Sequence, residues 1–179
     1  MNSHSEISSR WEKYSHLFNH ITVPDKTVLL MEGDVSKKAY FIEKGCIRLW
    51  YNNNGKDITF QFFFENEGVS SFESFNTGQP SLFTMEAIEP CVLQWIHKDD
   101  FDAVLREEPL IKEDFYKVIA ERQMKYMHHF LSFLKDTPKQ RYANLLKEKP
   151  HIIKRVPLQY IASYLGITPV SLSRIRKII

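Results

Sequence analysis

Between residues 27 and 98 apolar and polar positions alternate over short spans. "TVLLM", "AYFI", "CIRLWY", "DITFQFFF", "LFTMEAI" and "CVLQWIH" are brief runs rich in β-branched and aromatic side chains, the composition of strands. Gly33-Asp34, Lys44-Gly45, Asn54-Gly55 and Gly78-Gln79-Pro80 separate many of them. Asn-Gly between two such runs predicts a hairpin. Strands and turns repeating at this spacing predict a closed antiparallel barrel or roll.

On either side the period is helical. Residues 6–20 predict a short helix with Trp11, Tyr14, Leu17 and Phe18 on one side. "DDFDAVLREEP" predicts another, closed by Pro109. A long helix follows from about Leu110 to Lys135, with two apolar stripes. Phe115, Ile119, Tyr126, Phe130 and Phe133 form one, suited to covering the end of the barrel. Ala120, Met124, Met127, Leu131 and Leu134 form the other, at spacings of 4, 3, 4 and 3. That heptad-like stripe suits a partner helix, most simply its own copy. The alternative is that both stripes pack within one subunit. Thr137-Pro138 has the residue types of a cap and first position of a further helix.

The chain ends in "YIASYLGITPVSLSRIRKII". Two helices crossing steeply need a small residue at the contact, which Ala162 supplies, and a sharp turn between them, which Gly166 allows through positive φ. Ile161, Leu165 and Ile167 supply an apolar wedge, and Leu172 and Ile175 face inward. Thr168 caps the second helix and Pro169 takes its first position. Val170, Ser171, Ser173, Arg174 and Lys177 are left on the other faces. This is the pattern of a helix-turn-helix whose second helix enters a major groove. Its first helix starts near Pro157, where unpaired N–H groups can hold a phosphate. An ordinary helical hairpin is the competing reading.

Charge sharpens the picture. Residues 135–179 carry ten Lys and Arg against Asp136 and Glu148, a net +8, whereas residues 1–134 sum to −6. A basic end on an acidic body is the layout of a chain that holds a polyanion at one end. No run of about 18 apolar residues predicts a membrane span. The first residues lack a signal-like apolar stretch, so a cytoplasmic location is expected. Cys46 and Cys91 stand apart in sequence and are expected to be reduced and structural. His16 and His20 have metal-like spacing on the expected first helix but no third ligand, and His128-His129 diverge on theirs; no metal or other cofactor is expected. No catalytic motif occurs, and a cupin-like enzyme would need more His than His97 in the strands.

With these pieces in order, the chain resembles the Crp/Fnr family of bacterial transcription regulators over nearly its whole length. "VLLMEGDVSKKAYFIEKGCIRLWYNNNGKDITFQFF" is similar to that family's nucleotide-binding roll, with Gly33, Tyr40-Phe41, Gly45 and Gly55 at its turn and strand positions. "QYIASYLGITPVSLSRIRK" is similar to its DNA reader. The resemblance implies a homodimer on a palindromic operator in double-stranded DNA, an effector in the roll, and RNA polymerase as a further partner. It implies base reading by Arg174, whereas Pro169 and Val170 stand where well-known members carry a base-reading Arg and Glu; Thr168 and Ser171 suit phosphate contacts, and Val170 suits a thymine methyl.

Two departures stand out. Cyclic-nucleotide binders of the family carry a Gly-Glu-Leu turn and then an Arg. Here the stretch is "GVSSFESFNTGQPSLFTMEAIE": Glu73 is the candidate for the Glu, with shifted spacing, and Ser81 stands at the Arg position. Phe72, Glu73, Ser81, Leu82 and Met127 are the candidate effector-pocket residues, and tight cyclic AMP or cyclic GMP binding is not expected. The family's wing is the second departure. The sequence closes four residues after Ile175, so a wingless reader is expected, whose wing phosphate contacts are either missing or supplied from elsewhere, with Lys154 and Arg155 as the candidates.

The expected fold class is α+β: an antiparallel β-roll with its N-terminal helix (1–109), a dimerisation helix (110–135) and a small all-α helix-turn-helix domain (136–179). The expected function is sequence-specific DNA binding without enzymatic activity. The alternative is a small-ligand sensor or interaction module whose reader is degenerate.

Overall fold

The computed structural model describes residues 10–179. Eight strands form two four-stranded antiparallel sheets. The first sheet has the order β1-β8-β3-β6, from β1 (Asn19–Val23), β8 (Cys91–His97), β3 (Lys38–Lys44) and β6 (Gly68–Val69). The second has the order β2-β7-β4-β5, from β2 (Val28–Leu30), β7 (Thr84–Ala87), β4 (Ile47–Asn53) and β5 (Lys56–Phe63). Asn54, at φ 52, and Gly55, at φ 84, turn the β4–β5 hairpin that Asn-Gly predicts. Between the sheets lie Ile42, Ile47, Leu49, Phe63, Met85 and Leu93, all buried.

Seven helices accompany the sheets among the described elements: α1 (Phe72–Thr77), α2 (Lys98–Glu107), α3 (Pro109–Lys135), α4 (Pro138–Glu148), α5 (Pro150–Arg155), α6 (Leu158–Tyr164) and α7 (Pro169–Arg176). Thr137 caps α4 in a reciprocal box with Gln140, and Pro138 takes the first position.

The expected helix at 6–20 is corrected in its described part. Residues 10–12 are helical, Ser15–Leu17 form a 3-10 turn, and β1 begins at Asn19. Residues 6–9 of that expectation lie outside the described residues. The apolar step is nonetheless used: Trp11 stacks on Phe101 with ring centroids 5.7 Å apart and meets Phe18 edge-on. His16 and His20 consequently sit on a turn and a strand, not on one helix face. Strand β6 and helices α1 and α5 were not anticipated.

The second sheet is covered on both faces. Strand pairing aligns Glu86, Arg48 and Phe62 in a row across β7, β4 and β5, and their neighbours Ala87, Ile47 and Phe63 point into the roll, because successive side chains alternate. On the outer face Phe62, Phe64 and Cys46 share a buried cluster with Tyr142, Leu145, Ile152, Ile161, Tyr164 and Leu172 of the C-terminal helices. Arg48, only 2% exposed, lies in this face. Its Nε and Nη2 donate to Glu86 Oε2 at 3.0 and 2.7 Å, Nη1 to Thr59 Oγ1 at 3.2 Å and Nη2 to Asp57 Oδ2 at 3.0 Å. Its guanidinium carbon stands 3.9 Å from the centre of the Tyr160 ring.

Gly45 joins β3 to β4 at φ +109, and a Cβ placed there would come 2.4 Å from Cys91 Sγ and 2.9 Å from Cys91 Cα. Gly45→Ala therefore meets both a backbone penalty of about 1–2 kcal/mol and a backbone clash. Urea unfolding is expected to show a loss of at least that size; an unchanged midpoint contradicts the packing described for this turn.

Candidate nucleic-acid interface

Four residues, 165–168, join α6 to α7. Gly166 sits at φ +67. Its N–H donates to Ser163 O at 2.9 Å, and the Ile167 N–H donates to Ala162 O at 3.0 Å. This pairing satisfies the last carbonyls of a helix that ends in a left-handed residue. A Cβ on Gly166 would fall 2.7 Å from Phe133 Cε1, so the turn lies directly against α3. Ala162 is fully buried with Ile161, Leu165 and Leu172 around it. Thr168 Oγ1 accepts from the Ser171 N–H at 3.1 Å, and Pro169 opens α7.

One face of this pair is open. Thr168, Val170, Ser173, Arg174 and Lys177 are exposed, as is Pro157 at the N-cap of α6. Ser171 is half-buried, with its Oγ 3.0 Å from Thr168 Oγ1. Arg174, Lys177 and also Arg176 enter no ion pair among the described residues. Six of the seven expected residues are thus exposed and Ser171 is half-buried, and Arg176 is exposed beside them in sequence.

Two cations of the basic end are occupied elsewhere. Arg141 donates to the carbonyls of Leu165 and Asp136. Arg155 donates to both oxygens of Glu65, at 2.8 and 2.7 Å, and to Glu89. Its guanidinium holds the Glu65 carboxyl well down, at about 2. Arg155 is therefore corrected from a phosphate contact to a tie between α5 and the roll; Lys154 stays exposed. Nothing in the local sequence marks Arg155 for this, since its partners are 90 and 66 positions away.

The expected effector residues do not converge in the single chain. Ser81, 3% exposed, turns inward to Ser71, 1% exposed, with their Oγ atoms 2.9 Å apart. The Ser81 hydroxyl also donates to Phe83 O at 2.7 Å, and its backbone is tied to Gly33 and Asp34. Glu73 is exposed on α1, Leu82 is exposed, and Met127 lies exposed on α3. Phe72 packs toward Phe115 and lines an open groove with Asn76, Arg106 and Tyr116 on the outside of the roll. Ser71, and not Glu73, is thus the side chain that faces Ser81. No Lys or Arg occurs from 57 to 97. The cation that α3 does bring toward this region is Arg122, whose Nη2 donates to Gly68 O at 2.9 Å.

His97 caps α2 by accepting from the Asp99 N–H through Nδ1. Cys46 and Cys91 are buried free thiols, and burial pushes both up from the ordinary thiol value. No group of three or more His, Cys, Asp or Glu is arranged to hold a metal ion among the described residues. No helix there is long and apolar enough to cross a membrane.

His129 of α3 stacks on Tyr164 of α6, with ring centroids 4.4 Å apart. Burial first, then Lys149 and Arg141, depress it to about 4. Burial also raises the Tyr164 phenol to about 12. The unfolded imidazole titrates near 6.5, so the unfolded state takes up the proton first. Stability from neutral His129 is complete above pH 6.5 and is lost as pH falls toward about 4. His129→Phe is expected to keep the stack and flatten the melting-temperature slope across that window; an unchanged slope in a thermal-melt series contradicts the assignment.

Residues 20–108 match the cyclic nucleotide-binding domain family. No curated protein matches the chain. Among solved structures, the c-di-GMP-responsive global regulator CLP of Xanthomonas campestris superposes with a TM-score of 0.78 at 14% identity, over 95% of this chain and 90% of that one. FixK2 of Bradyrhizobium japonicum gives 0.77 at 15% identity, over 89% and 83%. The catabolite activator protein of Thermus thermophilus gives 0.60 at 17% identity, over 97% and 82%. At such identities the likeness is one of fold. Residues 20–108 thus match the cyclic nucleotide-binding domain family, and the chain shares the fold of these three proteins.

Proposed function

We propose that the protein is a sequence-specific DNA-binding transcription regulator that acts as a homodimer and has no enzymatic activity. The observation that carries this reading is the open face of α7. A capped helix presents Val170, Ser173, Arg174 and Lys177 outward while Leu172 anchors it from behind. An α-helix fits the major groove, and an unpaired Arg there can donate to guanine O6 and N7. Thr168, Ser171 and Pro157 at the helix starts suit phosphate oxygens.

The dimer is supported by α3. Met124 is 57%, Met127 50% and Leu134 70% exposed, and Leu131 and Ala120 are exposed beside them. A heptad-spaced apolar ridge left open in one chain is what two antiparallel or parallel copies cover. Two-fold pairing then gives two readers and an operator of palindromic half-sites.

The roll supports a different effector, or none, in place of a cyclic nucleotide. A phosphate at the Ser71–Ser81 pair would meet two hydroxyls already bonded to one another, and no cation from 57 to 97. An anion buried without a charge-assisted donor costs several kcal/mol. The second reading, a ligand sensor with a degenerate reader, gains no support from this closed pair.

Arg174→Ala tests the assignment. It is expected to cost about 1–3 kcal/mol of affinity for the selected operator and to relax preference at one base position. Fluorescence anisotropy on a panel of single-base operator variants measures both. An unchanged base preference removes Arg174 from base reading.

A further inference from the structure

The two halves of the molecule meet across one face. Strand β5 and helix α6 are hydrogen-bonded side chain to backbone: the Thr59 N–H donates to Ser163 Oγ at 2.8 Å, and the Ser163 hydroxyl donates to Asp57 O at 3.1 Å. Phe62 packs on Tyr164 with ring centroids 5.3 Å apart, and Phe64 meets His151 edge-on at 4.6 Å. Tyr160 lies over Arg48. At the rim Arg155 is clasped by Glu65 and Glu89, each two residues beyond the level C-terminal ends of β5 and β7, where Phe63 and Ala87 both pair with Ile47. A two-pronged Arg–carboxylate contact shared by a second acid is the geometry in which a partly exposed pair has real strength.

This contact leaves the reader open. The residues on the far side of α6 and α7, Thr168, Val170, Ser173, Arg174 and Lys177, are exposed while the pair is docked. The same docking fixes the turn against α3 through Phe133 and stacks Tyr164 on His129. A reader that is held on its inner side, and free on its outer side, is oriented and not masked.

We propose that Arg155 between Glu65 and Glu89, with Tyr160 over Arg48, latches α5 and α6 onto the second sheet, and that this latch holds the reader in its DNA-competent orientation without any ligand. The second half of the proposal rests on the DNA-binding reading above; the first does not. The roll then acts on the reader as a cradle. Its contribution is to remove the orientational freedom that a loose reader loses on binding. The acidic body contributes too, because Glu65 and Glu89 draw Arg155 inward and away from the exposed cations of α7.

The test uses the full-length protein with the double substitution Glu65→Gln and Glu89→Gln. Gln keeps an acceptor for the Gly45 N–H that Glu65 now serves and removes both negative charges facing Arg155. Hydrogen exchange at pH 7 is expected to quicken about tenfold in residues 158–176, as the opened state gains population, while β3 and β8 stay protected. Affinity for a duplex selected with the wild-type protein, in ligand-free buffer, is expected to fall in proportion to the fraction of molecules left docked, which the exchange rates report. Unchanged exchange in 158–176 overturns the latch, whatever the affinity does. Faster exchange with tighter duplex binding overturns the second half, since the contact then restrains the reader. Should the wild type hold no duplex, the DNA-binding reading fails and takes the orientation claim with it, while the exchange comparison still decides the latch.

Discussion

The outer face of the second sheet decides how this chain is organised. A sheet whose other face met water would alternate apolar and polar along β5. Instead Phe62 and Phe64 face outward beside buried Arg48, and all three need a cover. The C-terminal helices supply it with Tyr142, Leu145, Ile152, Ile161 and Tyr164. Burying Arg48 is tolerable only because Glu86, Thr59, Asp57 and Tyr160 surround it. The C-terminal helices and the roll are therefore not beads on a hinge. They share a core, and the orientation of α7 follows from the pleat of β4 and β5.

That core changes what the roll needs to do. The hydroxyl pair Ser71–Ser81 is buried and mutually satisfied, with no charge aimed at it. A site built to take a phosphate has donors waiting for an acceptor; this one has its donors spent. Arg122, which reaches from α3 to the Gly68 carbonyl, ties the long helix to β6 with a protein partner in the role of a ligand. Residues 20–108 match a nucleotide-binding domain family, while the local chemistry at Ser71–Ser81 is that of a packed structural joint.

Much of the fold was legible from residue patterns. Short aromatic and β-branched runs gave six of the strands, and Thr137-Pro138 and Thr168-Pro169 marked two helix starts, because caps and turns act through neighbours in sequence. Failures came where distant partners decide. "NHITV" at 19–23 continues a plausible helical spacing, and only pairing with β8 makes it a strand. Gly68-Val69 is too short to announce itself as β6. Glu73 is the nearest match in sequence to the family Glu, at shifted spacing, whereas the position facing Ser81 belongs to the plainer Ser71. Arg155 reads as a free cation in the sequence because Glu65 and Glu89 are 90 and 66 positions away. The run "FQFFF" did hold the missing clue: three consecutive Phe cannot all face one core, so β5 had to be covered twice.

The central claim is that a docked dimer reads DNA unaided. Titrating the ligand-free protein against its selected palindromic duplex, with complex mass measured by light scattering, addresses that claim directly. The account predicts two chains per duplex, with affinity that falls steeply, by a power law in salt, as ionic strength rises. A protein that binds only after a cyclic nucleotide is added, or that binds as a single chain with no salt dependence, contradicts it.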